Sequence, residues 1–229
     1  MKKIFPATAA ILLLSLLLLP LSPQVGQAAP FTAGTSQLPV LFGAYTSGDL
    51  QSTVDELQAM EDWLVSNGAS GVTFAGDFMS ITFNPRWNVK TELNAAWDNG
   101  YMPFVNLMPS EPWEEDYGYY DQNCDTAEDI AAGSCDDHLR TWANYFKDWA
   151  GTSKEAYIAP LPEANGDWPR YRCNGTTFKA AYTRIQTLFQ EQGVPDSAVH
   201  WVFAPNGWHD PDWAYRAFEN YYPGDSQVD

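Results

Sequence analysis

The sequence predicts an α/β protein built as a (β/α)8 TIM barrel, of which about the first five βα units are present. Three observations predict this fold. Apolar stretches alternate five times with stretches of helical pattern. The apolar stretches are continuous, which is typical of parallel strands covered on both faces. Polar and aromatic residues follow the predicted strands, where the carboxyl ends of barrel strands share one rim.

The first half of the chain contains three predicted strands and two predicted helices. The apolar runs PVLFGAYT, GVTFAGDF and YMPFVNLMP predict strands over 39–46, 71–78 and 101–109. The first helix is predicted over 52–68, because apolar residues recur every three or four positions before an Asn-Gly stop signal. The second helix, over 88–100, ends at the same signal.

The second half begins with a long loop rich in acidic and aromatic residues, over 110–137. A helix with one apolar face follows it, and the fourth predicted strand runs into a polar exit. The next helix is the clearest in the chain, because its apolar residues keep the 3.6-residue period. These elements and the last βα unit are predicted over 138–151, 156–166, 176–193, 199–208 and 212–222.

The first 29 residues have the features of a secretory signal peptide. Lys2 and Lys3 precede an apolar run over 11–19, and small residues precede a cleavage point after Ala28 or Ala29. The run is short for a membrane span, and an uncleaved anchor is the alternative. We expect residues 1–29 to be removed and the protein to be secreted to the extracellular space, with no membrane attachment afterwards.

The length of the chain bears on how much of a barrel it contains. A barrel typically needs about 250 residues and eight strands. Of the 229 residues, about 200 remain once the leader is removed. We therefore expect a linker over 30–38 and a partial barrel over 39–229 that is truncated before strand six. A half-open domain of five units is the alternative.

No GxGxxG or GxxxxGK loop follows a strand, which disfavours a nucleotide-binding open sheet.

Charge and composition restrict the partners of the protein. The formal net charge of −17 repels nucleic acid and anionic membrane surfaces. Ten Trp, twelve Tyr and twelve Phe suit stacking on sugar rings, although aromatic residues are also good core material. We expect a polysaccharide or oligosaccharide substrate as the partner, no nucleic acid, and a monomer.

The cysteines and histidines predict a disulfide and no metal or other cofactor. Cys124 and Cys135 lie in one loop and are the expected pair in an oxidising compartment, which leaves Cys173 over. The three histidines show no HxH or HExxH spacing. The acids of the long loop show no EF-hand pattern for calcium.

The chemistry that remains is carboxylate chemistry. No GxSxG nucleophile elbow is present, and glycoside hydrolysis requires only a pair of carboxyl groups. Glu163 follows the fourth predicted strand, with the apolar run Pro160–Pro162 on one side and Trp168 beyond it. This position suits a general acid.

Three segments resemble glycoside hydrolase family 26, a β-mannanase-like family of retaining (β/α)8 enzymes. PEANGDWPRY (162–171) is similar to its fourth-strand motif E-x-N-G-x-W, WVFAPNGW (201–208) to its fifth-strand segment, and YYPGDSQVD (221–229) to its approach to strand six. The resemblance implies the N-terminal part of a catalytic domain. It also implies that Glu163 is the acid/base and that the nucleophile, a Glu at the end of strand seven, lies beyond the C-terminus.

The chain departs from the family pattern at two places before Glu163. Mannan-cleaving members usually carry a His directly before the acid/base and an Arg a few residues earlier. This chain has Pro162 at the first place and Ala159 or Pro160 at the second. The resemblance therefore supports a family 26-like glycosidase better than it supports a β-mannanase.

Further candidates for substrate contacts follow the predicted strands. Trp residues at these places are as often packing as sugar platforms, and Asp77 suits a solvated loop better than a cleft. The substrate-binding candidates are Asn165, Trp168, Asn206, Trp208, Trp113, Tyr45 and Asp77.

Together these observations predict a secreted, retaining glycoside hydrolase-like protein that acts on a β-linked polysaccharide such as mannan or a related β-glycan. We expect the 229-residue chain alone to be inactive, because its nucleophile is missing. The main alternative is a non-catalytic barrel that binds glycan. A lyase that uses Arg170 or Tyr171 as its base is a third possibility.

Overall fold

A parallel sheet of five strands forms the centre of the described structure, with the strands in the order of the sequence. This computed structural model describes residues 42–45, 50–69, 71–207 and 217–229. Each strand pairs in parallel with the next, so the predicted α/β fold with parallel strands is confirmed. The strands are β1 (Phe42–Tyr45), β2 (Val72–Ser80), β3 (Met102–Met108), β4 (Ala156–Pro160) and β5 (Val199–Trp201).

Helices follow the strands at the predicted places. The helix predicted over 88–100 begins with a π-helical turn, Asn88–Glu92, before its α-helical part. Only the end of the segment predicted as a helix over 212–222 is described, and it contains a 3-10 turn, Phe218–Asn220. The α-helices are α1 (Leu50–Ser66), α2 (Pro85–Trp87), α3 (Leu93–Asp98), α4 (Ala127–Ala132), α5 (Asp136–Ala150) and α6 (Gly175–Glu191).

The main hydrophobic core lies between the sheet and the helices. Alternate strand residues such as Val105 and Ile158 are fully buried there against Trp142, Phe146 and Phe189 of α5 and α6. Side chains of a strand point alternately to opposite faces, so one set of residues packs on the helices. No helix in the described ranges is long and apolar enough to cross a membrane.

The opposite face of the sheet carries a row of aromatic rings that is half-buried. Tyr157 is central, with its ring centroid 5.0 Å from that of Phe74, 6.5 Å from Phe104 and 4.6 Å from His200. From the continuous apolar runs of the strands, we expect other elements to cover both faces of the sheet. Among the described residues the helices cover one face, and this aromatic row lies on the other.

The loop over 110–137 contains more regular structure than its sequence suggested. A 3-10 helix (Pro112–Tyr117) and α4 both begin with capping boxes, in which Glu114 and Asp129 bond the backbone. These two acids therefore serve to begin helices. No cluster of potential metal ligands occurs among the residues that the structure describes.

The predicted disulfide is confirmed. Cys124 and Cys135 are bonded, with their Cα atoms 5.1 Å apart, and both are fully buried. Cys173 is a free thiol. Burial, and to a smaller extent the charge of Glu128, raises the pKa of Cys173 to about 12, so this thiol is a poor nucleophile at neutral pH.

The ion pair between Asp136 and Arg184 links α5 to α6 and gives a testable pH dependence. Arg184 donates from Nε to Oδ1 at 2.7 Å and from Nη2 to Oδ2 at 2.5 Å. The hydrogen bonds from Arg184 lower the pKa of Asp136 below its ordinary value, against a smaller opposing effect of burial. An Asp with a lowered folded-state pKa stabilises the protein above its unfolded pKa, near 4. That contribution is lost as the pH falls through the folded-state pKa.

We expect Arg184→Met to lower the free energy of unfolding at pH 7 by about 1–2 kcal/mol. The difference from wild type should shrink as the pH falls below about 4 and should vanish only below the lowered folded-state pKa of Asp136, where the carboxyl group is protonated in both proteins. Urea unfolding at pH 7 and pH 3 measures both values. Arg172→Met is the control, because its 4.0 Å pair with Asp167 is exposed and should contribute little. An equal loss at both pH values would contradict the assignment.

Candidate active site at the carboxyl end of the sheet

The turn after β4 has an unusual backbone. Leu161 and Glu163 have φ angles of 52° and 57°, in the left-handed region that residues with a Cβ rarely adopt. Each such residue costs about 1–3 kcal/mol and persists only where its surroundings hold it. Backbone strain of this kind is concentrated at functional sites.

Neighbouring elements hold this strained turn in place. The Leu161 N–H donates to the carbonyl of Leu107 at 2.9 Å, and the Glu163 N–H donates to that of Ala204 at 2.7 Å. The buried hydroxyl of Tyr171 donates to the carbonyl of Pro162 at 2.9 Å. The conformation of Glu163 therefore depends on β3, on the segment after β5 and on the loop before α6.

The side chain of Glu163 accepts two hydrogen bonds on one oxygen. The indole Nε1 of Trp168 donates to Oε2 at 2.7 Å, and Nδ2 of Asn206 donates to the same oxygen at 3.0 Å. Both partners are N–H groups that only donate, so neither can accept a hydrogen bond from a protonated carboxyl group. They orient the carboxyl group and leave Oε1 as the oxygen that carries the proton when Glu163 is protonated.

Asn165 and Asn206 join the two segments that follow β4 and β5. The Asn206 N–H donates to Oδ1 of Asn165 at 2.7 Å, and Nδ2 of Asn165 donates to the Asn206 carbonyl at 3.1 Å. Asn165 is buried, and these contacts make it a residue that positions Asn206. The expectation that Asn165 itself contacts a sugar hydroxyl stays a prediction.

The close neighbours of Gly166 explain why a glycine follows Asn165. A Cβ at this position would lie 2.9 Å from Nδ2 of Asn206 and 3.0 Å from the carbonyl oxygen of Glu163. Such contacts are too close for a side chain, so a substitution would displace the amide that bonds Glu163. The Asn-Gly pair in the turn thus has a physical cause.

A cleft of about 370 Å³ opens beside this turn. Trp168 and Trp113 line it and are 55% and 50% exposed, so both side chains are accessible to a ligand. The acidic side chain of Glu111 and the positively charged side chain of Arg170 supply its charged groups. The full set of lining residues is Phe78, Met108, Glu111, Trp113, Trp168, Pro169 and Arg170.

The charged groups around the cleft influence one another. Burial raises the pKa of Glu111, while the positive charge of Arg170 opposes that effect. Arg170 also donates to Oδ2 of Asp125 at 2.8 Å. Burial, with the charges of Glu111 and Glu163, raises the pKa of Tyr171. A buried tyrosine with a raised pKa that donates to a carbonyl is unsuited to act as a base, which disfavours Tyr171 as a lyase base.

The structure brings together four of the predicted site residues and separates others. Glu163, Asn165, Trp168 and Asn206 form one bonded group, and Trp113 lines the cleft with Trp168. Trp208 and the side chain of Tyr45 lie outside the described residues.

The sequence suggested a solvated loop as one place for Asp77, and the structure does not place it there. It lies within β2, which continues to Ser80, and it bonds the N–H of Phe78 at 2.7 Å. Its neighbours at alternate positions, Ala75 and Met79, belong to the core on the helix side of the sheet. The adjacent residue, Phe78, lines the cleft instead.

Sequence reasoning did not select Phe78 or Glu111 as substrate-binding residues, and it considered Arg170 only as the base of a lyase. The period-two alternation of β2 could have favoured Phe78 over Asp77, because adjacent strand residues face opposite sides. Glu111 and Arg170 lie in segments 59 residues apart in sequence, and only the fold brings them to one cleft.

Trp168→Phe is expected to lower glycan turnover about tenfold, because it removes a hydrogen bond to a carboxylate while retaining an aromatic ring. Stability should remain unchanged, because Trp168 is more than half exposed. Initial rates on polymer and thermal unfolding measure the two effects. Trp87→Phe, at an exposed tryptophan of α2, is the matched control. Wild-type rates for Trp168→Phe would show that this hydrogen bond is unimportant.

Comparisons with known proteins identify relatives of this fold. No family model matches the sequence. A β-mannanase from a symbiotic protist of the termite Reticulitermes speratus, solved with a gluco-manno-oligosaccharide, is similar with a TM-score of 0.53 and 18% identity. The similarity covers 82% of this chain and 61% of that one. The YdhT protein of Bacillus subtilis is similar with a TM-score of 0.52 and 16% identity, over 83% and 61% of the two chains.

One curated protein adds similarity in sequence. Endoglucanase H of Acetivibrio thermocellus is 30% identical over 148 residues, which are 62% of this chain and 14% of the endoglucanase. The chain thus spans about a seventh of that relative and 61% of the two solved structures. The chain thus resembles a β-mannanase in fold and an endoglucanase in part of its sequence, which supports a glycoside hydrolase similar to those of family 26.

Proposed function

We propose that the protein is a secreted, retaining glycoside hydrolase that acts on β-linked polysaccharide, with Glu163 as the general acid/base. The observation that carries this proposal is the strained turn after β4, which holds Glu163 beside an aromatic cleft through bonds from Trp168 and Asn206. The similarity to a β-mannanase and to an endoglucanase supports a β-glycan as the substrate class.

In the first chemical step, Glu163 donates its proton to the glycosidic oxygen as the bond from that oxygen to the sugar carbon breaks. The proton leaves from Oε1, because Oε2 accepts two N–H groups. A second carboxylate forms the bond to the sugar carbon. In the second step, Glu163 takes a proton from water, and the hydroxide oxygen displaces that carboxylate.

We propose that the second carboxylate belongs to a later strand of a complete (β/α)8 barrel. Three features support a barrel: sequential order of the parallel strands, helices that pack on one face, and an aromatic row on the other face. An open doubly wound sheet would place helices on both faces. The similar β-mannanase, of which the chain spans 61%, also supports this arrangement.

The test is hydrolysis of a panel of β-glycans by the full natural protein. Mannan, glucomannan and mixed-linkage β-glucan are incubated with the protein, and new reducing ends are measured. We expect release from at least one polymer and its loss in Glu163→Gln. A protein that binds these polymers without releasing any reducing ends would instead be a non-catalytic glycan-binding barrel.

A further inference from the structure

A cluster of aromatic rings extends beyond the cleft, on the loops that follow β2 and β3. Phe83 is at its centre, with its ring centroid 4.9 Å from that of Trp113, 5.0 Å from Tyr119 and 5.5 Å from Tyr117. Trp113 and Tyr117 also contact each other, with centroids 6.2 Å apart. These four residues are called the aromatic platform below.

Three rings of the platform are open to solvent. Tyr117 is 65% exposed, Trp113 50% and Tyr119 37%, whereas Phe83 is half-buried beneath them. Contiguous exposed apolar surface of this kind usually marks an interaction site. Tyr117 and Tyr119 are not among the residues that line the cleft.

A buried carboxylate fixes the platform in one arrangement. Glu114 is fully buried, and its Oε2 accepts from Oγ1 of Thr82 at 2.5 Å and from Oγ of Ser110 at 3.3 Å. Its Oε1 accepts from the N–H of Glu111 at 2.8 Å. Thr82 precedes Phe83, and Glu114 follows Trp113, so one side chain joins the two loops. A surface ordered before binding loses little entropy when a ligand arrives.

The surroundings of the platform specify the chemistry of its ligand. Glu115 and Asp116 are exposed on the same 3-10 helix, and the chain carries a formal charge of −17. These charges repel anionic polymers. Trp113 belongs to both the platform and the cleft, so a ligand chain in the cleft can continue onto the platform. The ligand that fits these surroundings is a polymer with apolar faces and no negative charge.

We propose that the aromatic platform binds additional sugar units of a neutral β-linked glycan whose other units occupy the cleft lined by Trp113 and by Trp168, the residue that bonds Glu163. This inference rests on the proposed function for the identity of the ligand. Tyr117 and Tyr119 would stack on sugar rings outside the cleft. They contribute to the affinity for long chains and leave the affinity for short oligosaccharides unchanged.

The experiment compares binding of glucomannan polymer and of a trisaccharide cut from it. Tyr117→Ala with Tyr119→Ala is placed in a Glu163→Gln background of the full natural protein, so that binding is measured without hydrolysis. We expect about tenfold weaker binding of the polymer by calorimetry, equivalent to about 1.4 kcal/mol, and no change for the trisaccharide. Tyr117→Phe with Tyr119→Phe should retain full affinity, because stacking requires the ring and not the hydroxyl.

The control is Trp63→Ala, at a tryptophan of α1 that is 64% exposed and outside the platform. Unchanged polymer binding by the double Ala variant would overturn the platform, whether or not the wild-type protein hydrolyses glycans. Weakened binding together with a wild-type protein that releases no reducing ends would support the platform and refute the hydrolase. Equal losses for polymer and trisaccharide would also overturn the platform, by placing both tyrosines in the cleft.

Discussion

Glu163→Gln is expected to reduce the turnover of natural β-glycan by about 10²–10⁴-fold, the usual contribution of a general acid. The amide retains the size of the side chain and can still accept from Trp168 and Asn206 through its oxygen. It cannot donate a proton to the leaving oxygen. The loss should therefore appear in turnover, with binding of the polymer largely retained.

Two comparisons make this result specific. An aryl glycoside with an acidic phenol needs little protonation of its leaving group, so its glycosylation step should be much less affected. Asp167→Asn removes an exposed carboxylate of the same turn and should retain wild-type rates on polymer. Hydrolysis of polymer by Glu163→Gln at the wild-type rate would refute the assignment of Glu163 as the acid.

Replacement of Cys124 and Cys135 by Ala is expected to lower the free energy of unfolding by about 2–4 kcal/mol. The bond closes a loop between residues separated by 11 positions, which reduces the entropy of the unfolded chain. Both sulfur atoms are also fully buried, so their removal loses packing. Urea unfolding monitored by tryptophan fluorescence measures the change.

The same disulfide supports the candidate site. The N–H of Ser110 donates to the carbonyl of Cys124 at 2.8 Å, and Oγ of Ser110 accepts from the N–H of Asp121 at 2.9 Å. Loss of the bond should therefore also weaken polymer binding by the platform. Cys173→Ala, which removes a free thiol, is the control. A double variant as stable as wild type would show that the surrounding contacts alone hold this loop.

The regular elements were predictable because they depend on local patterns. The helix α6, predicted over 176–193, spans Gly175–Glu191, since its apolar residues repeat with the helical period and Asn174 caps its start. The strands predicted over 156–166 and 199–208 were much too long, because β4 ends at Pro160 and β5 at Trp201. Their continuous apolar runs extend into the exits that carry Glu163 and Asn206, where the backbone leaves the sheet.

The site was predictable only in part. Glu163, Trp168 and Asn206 were selected because they follow strands, and parallel strands bring their carboxyl ends to one edge. The left-handed backbone of Glu163 had no signal, because it is held by contacts to the carbonyl of Ala204 and by the hydroxyl of Tyr171. Contacts between segments distant in sequence leave no local pattern.

The sequence by itself determined the alternation of strands and helices, the Cys124–Cys135 pair and the position of Glu163 after the fourth strand. Each of these depends on neighbours in the chain or on their order along it. The tertiary structure alone decided that Phe78 and not Asp77 lines the cleft, and that Glu114 joins two loops beneath the aromatic platform. Those features depend on which face a side chain takes and on which segments meet, and packing of the whole fold determines both.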